Sequence, residues 1–188
     1  MLIYGYKENK MTQDIKINYT YCPYVITKFQ YHSKLKDTLL KSIKSMPDSK
    51  IADSGQTIHT DWNLPEDQYR EYWNILEPYL TETMSKVYGQ LNFSTFTYIN
   101  YWFQQYYTNN YHNWHVHGDV NWTNVYYIEL PNNELRTNIL VQEDNSILVP
   151  DVSEGSILTM PSILWHQSPI NSSSDRKTVI VFNTTTPY

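Results

Sequence analysis

The stretch WHVHGDVNWTNVYYIELP, residues 114–131, places two histidines two positions apart, just before a run rich in β-branched and aromatic residues. Runs of this kind, bounded by clusters of Asn, Asp, Gly, Ser and Pro, are typical of short β-strands. The same texture recurs from residue 94 onward, and it predicts eight strands. They cover residues 94–107, 112–117, 122–130, 136–141, 146–149, 156–160, 164–170 and 177–184. Eight short strands with regular turns indicate a mainly β sandwich or jelly roll.

The first ninety residues predict helices. Apolar residues recur at spacings of three and four between residues 31 and 46, as expected for one helix stripe. A second helical region opens at Pro65, and Pro78 is expected to break it into two pieces. We expect these helices to pack on one outer face of the β core. The prediction is a single domain over residues 1–188, with a helical segment at 1–90 and a jelly-roll core at 91–188.

Composition excludes several classes of protein. The net charge is −5 and the basic residues do not gather into a stripe, which argues against nucleic-acid binding through phosphate neutralisation. No stretch approaches the ~18 uninterrupted apolar residues of a membrane span. The single cysteine, Cys22, cannot form an intramolecular disulfide, and residues 1–13 lack the basic and apolar regions of a signal peptide. These features predict a cytoplasmic protein without a membrane partner.

The histidines at 115 and 117 suit a metal site. On a strand, residues two apart point to the same side, so His115 and His117 can aim at one point, and Asp119 joins them if the strand continues. His166 lies about fifty residues later, on a strand that a jelly roll brings across its mouth. Two close ligands and one distant ligand hold a metal and leave coordination positions open. The alternative is that these are ordinary surface or hydrogen-bonded histidines.

Arg176 follows His166 by ten residues, across a polar hairpin, and is one of only three arginines. On the neighbouring strand it can point into the same cavity. A guanidinium facing inward needs an anion because an unpaired buried charge is very costly, and a carboxylate ligand would satisfy it. The alternative is a salt bridge with Asp175 or another surface acid.

Three segments carry a family resemblance: residues 114–131, EGSILTMPSILWHQSPIN at 154–171, and DRKTVIVFN at 175–183. In this order and spacing they resemble the 2-oxoglutarate and Fe(II)-dependent oxygenases, particularly a compact branch common in tailed phages of marine bacteria. The resemblance covers roughly the last hundred residues. It implies a double-stranded β-helix, the cupin-like form of the jelly roll, and a dioxygenase that uses Fe(II), 2-oxoglutarate and O2.

The resemblance also implies roles for individual residues. His166 and the histidine pair would hold iron, and Arg176 would bind the distal carboxylate of 2-oxoglutarate. Residues Thr178, Tyr127 and Tyr107 are further candidates for contact with that carboxylate.

Two ligand registers compete within the pair. His115 and His117 form one register, and His117 and Asp119 restore the more common carboxylate-containing pattern. We favour His115, His117 and His166, because Tyr111 stands four residues before His115 as an aromatic often does in similar proteins, and because the compact branch usually carries two histidines.

By resemblance the protein hydroxylates a protein side chain, prolyl or other, or a small metabolite. Two other functions stay open. One is a non-enzymatic β-sandwich that binds ligands or builds a phage structure. The other is a cupin-like metalloenzyme that uses the three histidines without 2-oxoglutarate.

Overall fold

The computed structural model describes residues 22–47, 50–53 and 56–187. The helices are α1 (His32–Lys44) and α2 (Glu71–Gln90), and the strands are β1 (Val25–Lys28), β2 (Lys50–Asp53), β3 (Gln56–Thr60), β4 (Thr97–Tyr106), β5 (His112–His115), β6 (Trp122–Glu129), β7 (Asn138–Val141), β8 (Ser146–Leu148), β9 (Ser156–Pro161), β10 (His166–Ser168) and β11 (Lys177–Thr185). Neither described helix has the length and apolarity needed to cross a bilayer. Residues 1–13, on which the expectation about a signal peptide rests, lie outside the described part.

Two antiparallel sheets form the fold. The larger sheet has the strand order β1-β9-β6-β11-β4-β3-β2, and the smaller sheet has the order β5-β10-β7-β8. The eight strands from β4 to β11 are therefore divided equally between the two sheets, in the arrangement of a double-stranded β-helix. The predicted fold class is confirmed. All eight predicted strands are present, with ends that differ by a few residues.

Both faces of the larger sheet are buried. Val179 and Val181 of β11 pack between the two sheets, while Ile180 and Phe182 of the same strand pack against the helices. The predicted helical layer on one outer face is therefore confirmed. That the 188 residues form one domain stays a prediction.

The first ninety residues contain strands as well as helices. β1 pairs with β9 at one edge of the larger sheet, and β3 pairs with β4 toward the other edge. The N-terminal segment therefore contributes strands that were not predicted, in addition to the predicted helices, and it extends the sheet at both edges.

The second helix differs from the prediction in two ways. It begins at Glu71, because the Arg70 guanidinium binds the carbonyls of Pro65 and Gln68 and the Asp61 carboxylate, which holds residues 61–70 in turns. It also runs through Pro78 without a break. Pro78 cannot donate to the Asn74 carbonyl, but both residues are exposed, so water can bind that carbonyl.

Candidate metal centre

Three histidines converge at the mouth of the β-helix. Each of His115, His117 and His166 offers a ring nitrogen, and the three nitrogens lie within 4.8 Å of one another. His115 of β5 stands directly opposite His166 of β10. The backbone N–H of His117 binds the Ser162 carbonyl at 3.0 Å, which keeps His117 beside the same strand pair after β5 has ended. We call these three residues the histidine group.

The other ring nitrogen of each histidine in the group has a hydrogen-bond acceptor. Nδ1 contacts the Asn113 carbonyl at 2.6 Å in His115, the Asn183 side-chain oxygen at 2.7 Å in His117 and the Leu164 carbonyl at 2.9 Å in His166. Carbonyl oxygens only accept, so Nδ1 carries the proton and Nε2 keeps its lone pair. Metal-binding histidines usually have such a partner on the ring nitrogen away from the metal.

Burial keeps the histidine group neutral. Burial lowers the pKa of His166 to about 2 and that of His117 to about 4, and it also lowers the pKa of His115. Neutral imidazole is the form that binds metal. The donor set of three Nε2 atoms therefore fits a divalent transition metal with open coordination positions.

Asp119 lies outside the histidine group. Its φ of +59° turns the chain after Gly118, so the strand does not continue, and the Asp119 side chain is exposed. The structure thus brings together the residues of the first predicted register and not those of the second.

Arg176 does not line the cavity beside the histidine group. Its guanidinium forms a two-pronged ion pair with Glu129, with N···O distances of 2.8 and 2.9 Å. Thr178 donates to the same carboxylate. The expected inward orientation of Arg176 and Thr178 is therefore corrected, and the alternative of a salt bridge with an acidic residue describes Arg176.

Lys177 takes the inward position instead. It is 2% exposed, its Nζ donates to Ser168 Oγ at 2.7 Å, and that Nζ lies 4.9 Å from the ring centre of Tyr106. Among the described residues, no carboxylate forms an ion pair with it. Burial lowers the pKa of Lys177 to about 7. In its charged form, an amine buried this deeply needs an anionic partner.

The two tyrosine candidates lie in different places. Tyr127 is fully buried with its hydroxyl 2.7 Å from Thr137 Oγ1, and the Lys177 Nζ lies 5.8 Å from its ring centre. Tyr107 directly follows β4 and is 48% exposed, whereas Tyr106, the last residue of that strand, is buried. Tyr106 lines the cavity, and sequence reasoning missed it.

One cavity joins the histidine group to Lys177. Polar groups form one wall of this inner cavity and apolar side chains form the rest. The lining residues are Trp102, Gln104, Tyr106, His112, His115, His117, Val125, Thr137, His166, Gln167, Ser168, Lys177, Val179 and Val181. His112 also lines the cavity, and its ring stacks on that of His115.

Known proteins resemble this chain in structure and not in sequence. No family model and no curated protein matches the sequence. Similar solved structures include an oxidoreductase of the 2OG-Fe(II) oxygenase family from Burkholderia pseudomallei, with a TM-score of 0.69 and 10% identity over 86% of this chain and 85% of that one. The viral collagen prolyl hydroxylase of Paramecium bursaria Chlorella virus-1 has a TM-score of 0.58 and 11% identity over 88% and 96%. HygX from Streptomyces hygroscopicus, with nickel and 2-oxoglutarate bound, has a TM-score of 0.61 and 7% identity over 86% and 82%.

At these identities the likeness concerns the fold. The chain has the double-stranded β-helix of the 2-oxoglutarate and Fe(II)-dependent oxygenases, and it carries a three-histidine group suited to a metal.

Proposed function

We propose that the protein is an Fe(II)- and 2-oxoglutarate-dependent dioxygenase. One observation carries the proposal: three Nε2 atoms and a buried lysine without an acidic partner among the described residues line the same cavity. A metal would bind the Nε2 atoms of the histidine group, and the distal carboxylate of 2-oxoglutarate would pair with the Lys177 amine at the other end of the cavity. Lys177 therefore takes the role that the sequence assigned to Arg176.

The residues of the chain would bind and orient the iron and 2-oxoglutarate and shield them from water. His115, His117 and His166 would hold iron through Nε2, and Lys177 would bind the distal carboxylate of 2-oxoglutarate. When bound, iron and 2-oxoglutarate supply the oxidising chemistry, in which O2 converts 2-oxoglutarate to succinate and CO2 and transfers one oxygen atom to the substrate. Apolar side chains of the inner cavity, Val179 and Val181 among them, would limit the access of water to bound 2-oxoglutarate.

The test uses the purified protein with Fe(II) under anaerobic conditions. Addition of 2-oxoglutarate should produce a visible metal-to-ligand charge-transfer band, and admission of oxygen should then yield succinate. His166→Ala should lose the band because iron binding is lost. Lys177→Met should keep metal affinity and lose the band at 2-oxoglutarate concentrations that saturate the wild type. A wild-type protein that binds iron and gives neither band nor succinate would refute the proposal.

The substrate we propose is a protein side chain, prolyl or other, with a small metabolite as the alternative. The fold shared with a viral collagen prolyl hydroxylase supports the first choice. A comparison of peptides from cells that express the active protein or the His166→Ala variant tests it by a mass increase of one oxygen atom. Placement in the cytoplasm, in a host cell if a phage encodes the chain, and membership of the phage-type branch stay predictions.

A second function has one observation in its favour. Within the described residues the histidine group contains no carboxylate, and three neutral ligands also suit a cupin-like metalloenzyme that does not use 2-oxoglutarate. That enzyme would bind metal at the histidine group and another anion at Lys177. It would give no succinate in the assay above.

A further inference from the structure

His112 lines the inner cavity, but it is neither one of the three histidines proposed to bind iron nor the residue proposed to bind the distal carboxylate. Its ring stacks on that of His115, with ring centres 3.9 Å apart and planes 23° apart, yet it lies outside the histidine group. A neutral imidazole carries one N–H donor, so its role depends on which nitrogen carries the proton.

A chain of hydrogen bonds leads from Lys177 to His112 along one wall of the cavity. Lys177 Nζ donates to Ser168 Oγ at 2.7 Å, and the Ser168 hydroxyl is hydrogen-bonded to the Tyr106 phenol. The Tyr106 hydroxyl donates to Gln104 Oε1 at 2.7 Å, and Gln104 Nε2 lies 3.4 Å from His112 Nδ1. All members of this wall other than His112 are more than nine-tenths buried.

The direction of this chain follows from its first member. Lys177 in its charged form only donates, so Ser168 accepts from it and donates to Tyr106, which in turn donates to the Gln104 carbonyl oxygen. The Gln104 amide nitrogen then donates to Nδ1 of His112. His112 must therefore carry its proton on Nε2, whereas the histidine group carries its protons on Nδ1.

We propose that His112 is a co-substrate-binding residue, whose Nε2–H donates to an oxygen at the metal end of 2-oxoglutarate. The identity of the ligand rests on the proposed function. His112 stacks on a metal ligand and Lys177 lies at the other end of the same wall, so one ordered chain holds a donor at each end of the dicarboxylate. The donor is neutral, which lets it approach the metal without charge repulsion.

The first test measures 2-oxoglutarate affinity by calorimetry on zinc-loaded protein, in which no turnover occurs. His112→Phe keeps a stacking ring and removes the donor, so affinity should fall about tenfold to a hundredfold, as for a lost hydrogen bond to a charged group. Zinc affinity should change by less than about threefold. His112→Gln returns an N–H near the position of Nε2 and should recover part of the loss.

The matched control is His59→Phe. His59 lies on β3, outside the inner cavity, where its Nδ1 contacts Gln105 at 2.8 Å and its ring packs on Phe103. The same chemical change there should leave both affinities as in the wild type. Unchanged 2-oxoglutarate affinity in His112→Phe, or an equal loss in His59→Phe, would overturn the inference.

The second test reads the proton position directly. Histidine side chains labelled with ¹⁵N in the zinc-loaded protein should give three Nδ1–H rings with metal-bound Nε2, and one Nε2–H ring that is absent from the His112→Gln spectrum. An Nδ1–H form of His112 would overturn the inference. If the wild type fails to bind 2-oxoglutarate at all, the proposed function falls together with this inference. If it binds and His112→Phe binds equally well, only this inference falls.

Discussion

At the scale of single residues, Asn183 connects the larger sheet to the histidine group. Its Oδ1 accepts from the His117 Nδ1–H, and its Nδ2 donates to Asn100 Oδ1 at 2.8 Å. Thr123 donates to the same Oδ1 at 3.1 Å. The amide cannot rotate without losing all three bonds. Asn183 therefore fixes both the tautomer and the orientation of His117, a member of the histidine group, from a distant strand.

We predict that Asn183→Leu weakens zinc binding by about tenfold to a hundredfold, as removal of such partners usually does. Asn183→Asp keeps an acceptor for the His117 N–H and adds negative charge, so its zinc affinity should equal or exceed that of the wild type. Competition with a chromophoric chelator measures both. If the Leu variant bound zinc within about twofold of the wild type, Asn183 would not support His117.

Lys177 gives a prediction about pH. Its folded-state pKa is lowered to about 7 from the ordinary 10.5, so between these values the unfolded chain binds more protons than the folded protein. Stability contributed by this residue must therefore rise with pH above about 7 and be flat below it. We expect the metal-free wild type to gain about 2 kcal/mol in unfolding free energy from pH 7 to pH 9, relative to Lys177→Met.

Urea unfolding at several pH values measures this difference, and groups common to both proteins cancel. A difference that stays constant, or that falls as pH rises, would show that Lys177 remains charged in the folded protein. Since only the charged form attracts a carboxylate, 2-oxoglutarate affinity should fall over the same pH range.

At the scale of elements, β11 shows why part of the site escaped prediction. Successive residues of a strand face opposite sides, so an error of one residue exchanges Arg176 for Lys177. Alternation of apolar and polar residues normally settles the question, but all residues from Lys177 to Thr184 are buried. Tyr106 and Tyr107 pose the same problem at the end of β4. This ambiguity does not affect His115 and His117 relative to each other, because residues two apart point to the same side.

The strands of the β core were predictable because turn residues separate them, and the spacing of His115 and His117 indicated the candidate metal site. The N-terminal strands were not, since β1 pairs only with β9 and β3 joins the larger sheet only through β4. The start of α2 depends on the contacts of Arg70 with residues 61–68, which no local pattern reveals. His112 and Asn183 have ordinary local sequences, and only the folded arrangement gives them partners.

Within α2, Pro78 leaves the Asn74 carbonyl without a helical donor on the exposed side of the helix. We predict that Pro78→Ala stabilises the protein by about 1 to 2 kcal/mol, because the regained hydrogen bond outweighs the greater freedom of the unfolded chain. Chemical denaturation measures the change. A lower midpoint for the Ala variant would mean that Pro78 is needed to shape the helix against the sheet.

The turn before β9 depends on Gly155. Its φ is +79°, and a Cβ there would lie 3.0 Å from the His32 ring, which Tyr126 and Glu154 hold in place. Gly155→Ala should therefore cost about 2 kcal/mol of stability. Gly89 has open space around its Cβ position and no positive φ, so Gly89→Ala is the matched control and should not destabilise. Equal midpoints for Gly155→Ala and the wild type would contradict this account.

At the scale of the whole molecule, metal binding should stabilise both sheets together. The histidine group lies in and beside the smaller sheet, and His117 is tied to the larger sheet through Asn183. Zinc at about a hundred times its dissociation constant adds roughly 2.7 kcal/mol. We expect the melting temperature to rise by about 5 to 10 °C in a single transition.

His166→Ala should abolish this rise, and His59→Phe should keep it. Scanning calorimetry with and without zinc measures the effect. Two separate transitions, of which only one shifts with zinc, would show that the sheets unfold independently.

Lys177 and Asn183 stand on the same face of β11, six residues or roughly 20 Å of strand apart. The distance between Lys177, at one end of the inner cavity, and the side chain that holds His117, at the other end, is therefore set by the backbone of β11. This strand is paired with β4 on one side and β6 on the other. If the proposed function holds, the spacing of these residues along β11 determines how long a dicarboxylate the enzyme accepts. Changes in the surrounding loops can then alter the substrate without altering the binding of 2-oxoglutarate.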